Sequence, residues 1–286
     1  MLTTLIQFQA TDNKDRNIAA VQNLVETAFS RQKARLISLP EMWSCRNADR
    51  STRFAAAELL PRPNSTDTGG DAYQAMQHMA RHYGVYVHGG SIAEKVGEQL
   101  YNTTLVFNPQ GQEIGRYRKM HLFDVTAPDG TIYRESKDFG AGNSVVTCQI
   151  DNFIAGLTIC YDLRFPELFR ALRDKGADVI FVPSAFTMET GKDHWEVLLR
   201  ARAIENQVWI IAAGICGSYR SPTGDVKSSY GHSLVCDPWG HVVALASDGP
   251  GSVTAWIDHA HIEKVRAAIP LATHRRPELN GFEHCK

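Results

Sequence analysis

Short apolar runs and amphipathic helical stretches alternate along this chain from one end to the other, and that alternation restricts it to a layered α/β architecture. Leu2 to Gln9, Arg35 to Leu39, Val85 to His88, Val179 to Val182 and Val208 to Ala213 read as strands. Asp12 or Asn13 can cap a helix whose apolar positions Ile18, Val21, Leu24, Val25, Ala28 and Phe29 recur at helical spacing. Ala72, Ala75, Met76, Met79 and Tyr83 mark a second helix, closed by Gly84. Further helices are expected over 166–175, 193–206 and 261–268, and a strand over 252–257. Hairpins turn at Asn108-Pro109-Gln110-Gly111 and at Pro238-Trp239-Gly240. Segments 44–68 and 124–144 are expected as loops, and the tail, about 270–286, as extended chain available for oligomer contacts. No linker divides the sequence, so the expectation is one domain over residues 1–286 with mixed sheets. The two halves share the order strand, helix, strand, hairpin, which points to two sheets packed together.

Composition excludes several classes. The 286 residues are 43% hydrophobic, enough for a substantial core, and 30 Lys plus Arg against 31 Asp plus Glu leave a net charge of −1. Neither nucleic acid nor an acidic membrane surface is an expected partner. Cys45, Cys148, Cys160, Cys216, Cys236 and Cys285 form no C-x-x-C pair, which fits a reducing compartment. The first residues alternate like a strand without a basic leader, and no apolar run reaches the roughly 18 residues of a membrane span. The expected location is cytoplasmic. His78 with His82, and His259 with His261, lack carboxylate or cysteine ligands at a metal-binding spacing, so no metal is expected.

The stretch Gly156-Leu157-Thr158-Ile159-Cys160-Tyr161-Asp162-Leu163-Arg164-Phe165-Pro166-Glu167 carries the strongest chemical signal. An apolar strand delivers one thiol just before a helix, where open α/β sheets place chemistry. Cysteine is also a common core residue, so the position alone does not make Cys160 a nucleophile. Glu41 follows Pro40 at another strand end, and Lys119 follows a strand over 114–117. Solvated turns accommodate both as readily. If these strand ends point the same way, a carboxylate, an ammonium and a thiol meet above the sheet.

Leu39-Pro40-Glu41-Met42-Trp43, Arg118-Lys119-Met120-His121-Leu122-Phe123-Asp124 and Ile159 to Glu167 together resemble the Glu, Lys and Cys motifs of the carbon–nitrogen hydrolase (nitrilase) superfamily, in that order. The likeness continues through Pro183 to Phe186, His194 to Asn206, Tyr230 to Ser233 and Asp237 to Gly240, and is greatest for the branch of deaminated glutathione amidase and omega-amidase. It implies an α-β-β-α sandwich, a homodimer or larger homo-oligomer, and no metal or organic cofactor. It also implies roles: Cys160 as nucleophile, Glu41 as general base, Lys119 with the Tyr161 N–H as oxyanion donors, and Glu135 as a second glutamate orienting Lys119 and the leaving nitrogen.

Arg164 matches an arginine that holds substrate carboxylate in related carbamoyl-amino-acid hydrolases, although an ion pair with Asp162 or Glu167 would also occupy it. Phe186, Thr187 and His194 lie in segments near the pocket or its rim, where core packing or a dimer contact are alternatives. The implied reaction is hydrolysis of a small carboxylate-bearing amide through a thioester, releasing ammonia. Deaminated glutathione amidase ranks first, ahead of omega-amidase acting on α-ketoglutaramate and of N-carbamoyl or aliphatic amide hydrolysis. Tyr161 stands where nitrilases carry tryptophan, which disfavours nitriles. A metal-dependent hydrolase or a non-catalytic binding protein fits a complete triad poorly. The loops 125–131 and 217–229 contain residues without a clear family counterpart, so their role and the exact substrate stay open.

Overall fold

A computed structural model describes residues 1–46, 49–62, 67–127, 130–220, 224 and 226–276. Asn13 caps the first helix, Lys14–Arg31, by accepting from the Arg16 N–H at 2.9 Å. Val21, Val25 and Ala28 form its buried face. The helix Asp71–Tyr83 buries Ala72, Ala75, Met76 and Met79 and stops at Gly84, whose φ of 64° continues no helix.

The strands build two sheets. In the larger, the spatial order is Gly251–Trp256, Leu2–Gln7, Leu36–Ser38, Tyr86–His88, Gln99–Phe107 and Ile92–Val96, with Glu113–Arg118 and Phe139–Gly140 also paired to Gln99–Phe107. The second runs Thr147–Ile150, Phe153–Leu157, Val179–Phe181, Trp209–Ala212, Leu234–Cys236 and Val242–Leu245. Each has the same plan: three parallel strands with an antiparallel neighbour on either side. The repeated order read from the sequence is therefore a repeated sheet.

Period-two alternation decides which face of a strand meets which layer. Leu5, Leu36 and Val106 join Leu157, Phe181 and Ile211 in the core between the sheets, and the same apolar cluster continues on the far face of the second sheet to Leu168, Phe169 and Leu199 from the helices behind it. Their sequence neighbours Ile6, Ile37, Leu105 and Phe107 face the other way, onto Val21, Val25, Met76 and Met79. The layers are helix, sheet, sheet, helix, an α-β-β-α sandwich. No helix among the described residues is long and apolar enough to cross a membrane.

One histidine lies in the middle of this sandwich. His88 is fully buried, stacks on Phe181 across the layers at 4.1 Å, and bonds Ser38 Oγ at 2.9 Å and Thr104 Oγ1 at 3.1 Å. Burial drives its pKa down to about 3, so the ring is neutral in the fold but titrates near 6.5 once unfolded. The unfolded state then binds the extra proton, and stability present above pH 6.5 falls as pH drops toward 3. Urea titrations should lose about 1.4 kcal/mol per pH unit below 6.5 through this one group. A His88→Asn protein, compared over the same range, should have a shallower acid slope; an equal slope would rule the residue out as the source.

Several expectations need correction. Segment 44–68 contains a short helix, Arg50–Ala56, capped by Asp49, and a strand at Ile92–Val96 went unread. Segments 124–144 and 217–229 are not plain loops: they carry the antiparallel ribbons Asp124–Thr126 with Ile132–Arg134, and Cys216–Arg220 with Val226–Tyr230. The long helix starts at Met188 rather than 193, with Thr187 as its cap. Cys160 does not end its strand but opens a 3-10 helix, Cys160–Arg164, beyond Phe153–Leu157. The tail is not wholly extended, since Leu271–His274 forms a helical turn; residues 277–286, with Cys285, lie outside the described residues. The other five cysteines are unpaired.

Candidate active site

Three connections that leave sheet strands converge on one cavity of about 610 Å³, lined by Glu41, Asn102, Lys119, Glu135, Cys160 and Tyr161 among others. Glu41 follows the strand Leu36–Ser38 in a turn held by the next connection: Trp43 Nε1 donates to the Gly89 carbonyl at 2.8 Å and the Ser91 N–H to that of Pro40 at 3.1 Å. Gly90 has a φ of 58°, and a Cβ there would fall 2.0 Å from the Pro40 oxygen, so glycine is required for the close approach that seats Glu41. Lys119 leaves the strand Glu113–Arg118 with its N–H on the Asn102 carbonyl at 2.9 Å.

Cys160 has a φ of 49°, uncommon for a residue with a side chain. Its N–H donates to the Pro183 carbonyl at 3.0 Å, which holds the turn. Asp162 fixes the same turn to the Lys119 segment. Its buried carboxylate accepts from the Ile159 N–H at 2.9 Å, Tyr117 Oη at 2.7 Å, the His121 N–H at 3.0 Å and His121 Nδ1 at 2.7 Å. The two halves of the chain are thus tied together beside the thiol.

Lys119 Nζ donates to Glu41 Oε1 at 3.0 Å and to Glu135 Oε2 at 2.8 Å and Oε1 at 3.1 Å. Asn102 Nδ2 bonds Glu41 Oε1 at 2.9 Å and Glu135 Oε1 at 3.3 Å, and the Phe123 N–H holds Glu135 Oε2 at 2.7 Å. Burial opposes the charge on Glu41, but Lys119, Arg46 and the hydrogen bonds from Cys160 and Lys119 outweigh it and set its pKa below the ordinary 4.5. Burial also works against the Lys119 ammonium, yet Glu135, Glu41 and Cys160 hold its pKa well above the usual value. The Cys160 thiol is pushed up by burial and then by the Glu41 charge, with Lys119 and the Ala185 N–H acting against them. The resting site holds a carboxylate, an ammonium and a neutral thiol. A base is already ionised next to the sulfur it can deprotonate.

The remaining sequence-derived residues divide. The Tyr161 N–H belongs to the first turn of the 3-10 helix, where helical N–H groups lack intrahelical acceptors. Phe186 and Thr187 line the cavity, though Phe186 also packs on Trp195 and Thr187 also caps the helix Met188–Asn206. Arg164 lines it as well. Its partners are His194 Nδ1 at 3.3 Å and the Phe186 ring, not Asp162 or Glu167; Asp162 is already committed to Tyr117 and His121. His194 is exposed and is not among the lining residues; it stands behind Arg164.

Sequence reasoning missed Asn102, Asp162 as a brace, and Arg46. The signal for Asn102 was an amide at a buried position of an alternating strand, Gln99–Phe107. Asp162 gave no such signal because Tyr117 and His121 come from a distant segment, and Arg46 fell in a stretch expected as a loop. Among the described residues no group of three or more His, Cys, Asp or Glu could hold a metal ion.

An α-β-β-α sandwich whose strand ends bring a thiol, a carboxylate and an ammonium into one cavity has the parts that hydrolysis through a nucleophilic thiol requires. The carbon–nitrogen hydrolase family model matches residues 2–267. The chain is 38% identical over 280 residues to the deaminated glutathione amidase of Synechocystis sp. strain PCC 6803, covering 96% of this chain and 97% of that one. It is 37% identical over 284 residues to omega-amidase NIT2 of Bos taurus, covering 98% and 96%. The crystal structure of Saccharomyces cerevisiae Nit3, a member of branch 10 of the nitrilase superfamily, superposes with a TM-score of 0.83 at 31% identity over 96% of each chain. This chain belongs to the carbon–nitrogen hydrolase family. It is an amidase, a hydrolase of carbon–nitrogen bonds other than peptide bonds.

Proposed function

We propose that the chain is a single catalytic domain that hydrolyses a carboxylate-bearing amide through a thioester on Cys160, with deaminated glutathione as its best substrate. The observation that carries this reading is the contact of one ionised carboxylate, Glu41, with both the Lys119 ammonium and the neutral Cys160 thiol. Glu41 takes the thiol proton as sulfur attacks the carbonyl carbon. Lys119 Nζ and the Tyr161 N–H meet the oxyanion. The C–N bond breaks as Glu41 passes the proton to nitrogen, which leaves as ammonia from a primary amide or as an amine from a substituted one. Water, deprotonated by Glu41, then attacks the thioester and frees acid and thiol. Glu135 keeps Lys119 charged and aimed.

Arg164, on the same helical turn as the nucleophile and without a carboxylate partner among the described residues, anchors the acyl-side carboxylate through its planar fork. The substrate ranking is supported by the relative named deaminated glutathione amidase; the relative named omega-amidase supports α-ketoglutaramate as the second candidate. Exposed Val197, Ile204 and Trp239 support a homo-oligomer, and the unpaired thiols a cytoplasmic setting.

Acid quenching during turnover followed by peptide mass spectrometry tests the proposal. The acyl mass of the substrate should be found on Cys160; its appearance on Cys45 or Cys216, or on no cysteine, would overturn it.

A further inference from the structure

Arg46 is the side chain the foregoing chemistry leaves unexplained. It lines the cavity, yet its Nε is buried without an acceptor among the described residues, and its guanidinium lies over the face of Tyr219, 5.8 Å from the ring centre. Other cavity arginines are engaged: Arg53 pairs with Asp138, and Arg134 donates to the carbonyl oxygens of Val125 and Tyr133. A buried guanidinium donor left unpaired is costly, and this one stands in the cavity wall, where a ligand can satisfy it.

Arg46 and Arg164 reach the cavity from different segments. Arg164 stands on the nucleophile's own turn against Phe186. Arg46 lies five residues beyond Glu41, in the same connection, and its charge acts on that carboxylate. Since Glu41 is the group that returns the proton to nitrogen, the leaving amine departs on the side of Glu41 and Arg46. Resting on the reading given under Proposed function, we propose that Arg46 is the residue that binds the carboxylate carried by the leaving amine, and so sets the preference for such an amide over a primary one. A cavity of about 610 Å³ accommodates a ligand of that length. A planar fork suits a carboxylate through two parallel hydrogen bonds. A primary amide, which releases ammonia, leaves this anchor unused.

The test compares kcat/KM for deaminated glutathione with that for its C-terminal amide, in which the leaving-side carboxylate is neutralised. The wild-type protein should prefer the free acid by at least about tenfold, mostly through KM. Arg46→Gln should bring that ratio close to one, and Arg46→Lys, which keeps the charge but not the fork, should keep part of it. A wild-type ratio near one, or a ratio unchanged in Arg46→Gln, would overturn the proposal. So would an equal loss on both substrates with a displaced acid limb of the pH profile, because Arg46 would then act only through Glu41. Thioester trapping with α-ketoglutaramate is run alongside. A trapped Cys160 adduct with an unchanged ratio defeats the Arg46 assignment alone, whereas no adduct with either amide defeats the thioester mechanism itself.

Discussion

Replacing Cys160 by alanine should lower kcat/KM by about 10⁴-fold or more while leaving the fold intact. The thiol is held at a positive φ by its N–H bond to Pro183 and by the Asp162 brace, and neither contact uses the side chain. Truncation to alanine therefore removes the sulfur without disturbing the turn. The Glu41, Lys119, Glu135 and Asn102 hydrogen bonds persist as well, since none of them passes through sulfur. Thermal unfolding of the variant should stay within a few degrees of wild type, and the variant should still bind substrate. Steady-state rates near wild type in Cys160→Ala would remove the thioester from the mechanism. A parallel collapse in thermal stability would show the residue to be structural.

Glu41→Gln should cost about 10² to 10⁴ in kcat, and its pH profile distinguishes a lost base from a lost brace. In the wild type Glu41 is ionised above its lowered pKa, so activity should be flat from about pH 5 upward and decline only as the carboxylate protonates below 4.5. Lys119 titrates far above neutrality and removes no activity there. Without the base, the reaction draws on free thiolate. Burial, the largest cause of the raised Cys160 pKa, persists in the variant, so thiolate is scarce at neutral pH and grows about tenfold with each pH unit. The residual rate of Glu41→Gln should therefore climb steeply between pH 6 and 9, where the wild type is level. Initial rates over that range, taken at a pH where both proteins are folded, test this; a flat profile in the variant would mean that Glu41 is not the base. Glutamine keeps the amide carbonyl as an acceptor for Lys119, and Glu135 still balances the ammonium, so the variant should fold.

The strands and helices of the core were legible because each carries its own periodicity. Val21, Val25 and Ala28 repeat at helical spacing, and Leu36 beside Ile37 divides two faces of a strand. The elements that went unread are those whose stability comes from elsewhere. The ribbon strands Asp124–Thr126, Ile132–Arg134, Cys216–Arg220 and Val226–Tyr230 are short and mostly polar, with no apolar alternation of their own; they form because partner strands and the cavity wall hold them. The helix Met188–Asn206 begins early because Thr187 caps it, a signal outweighed in the sequence by the polar residues that follow.

Chemical identity at Glu41, Lys119 and Cys160, and membership in a layered α/β class, were fixed by local residue type and order alone. Their meeting in one cavity was decided by tertiary structure, because three strand ends far apart in the chain are aligned only when the sheets stack. The same holds for the charge states. Burial and neighbouring charges set the ionisation of the carboxylate, the ammonium and the thiol, and both depend on distances through space, which a linear order of residues does not contain.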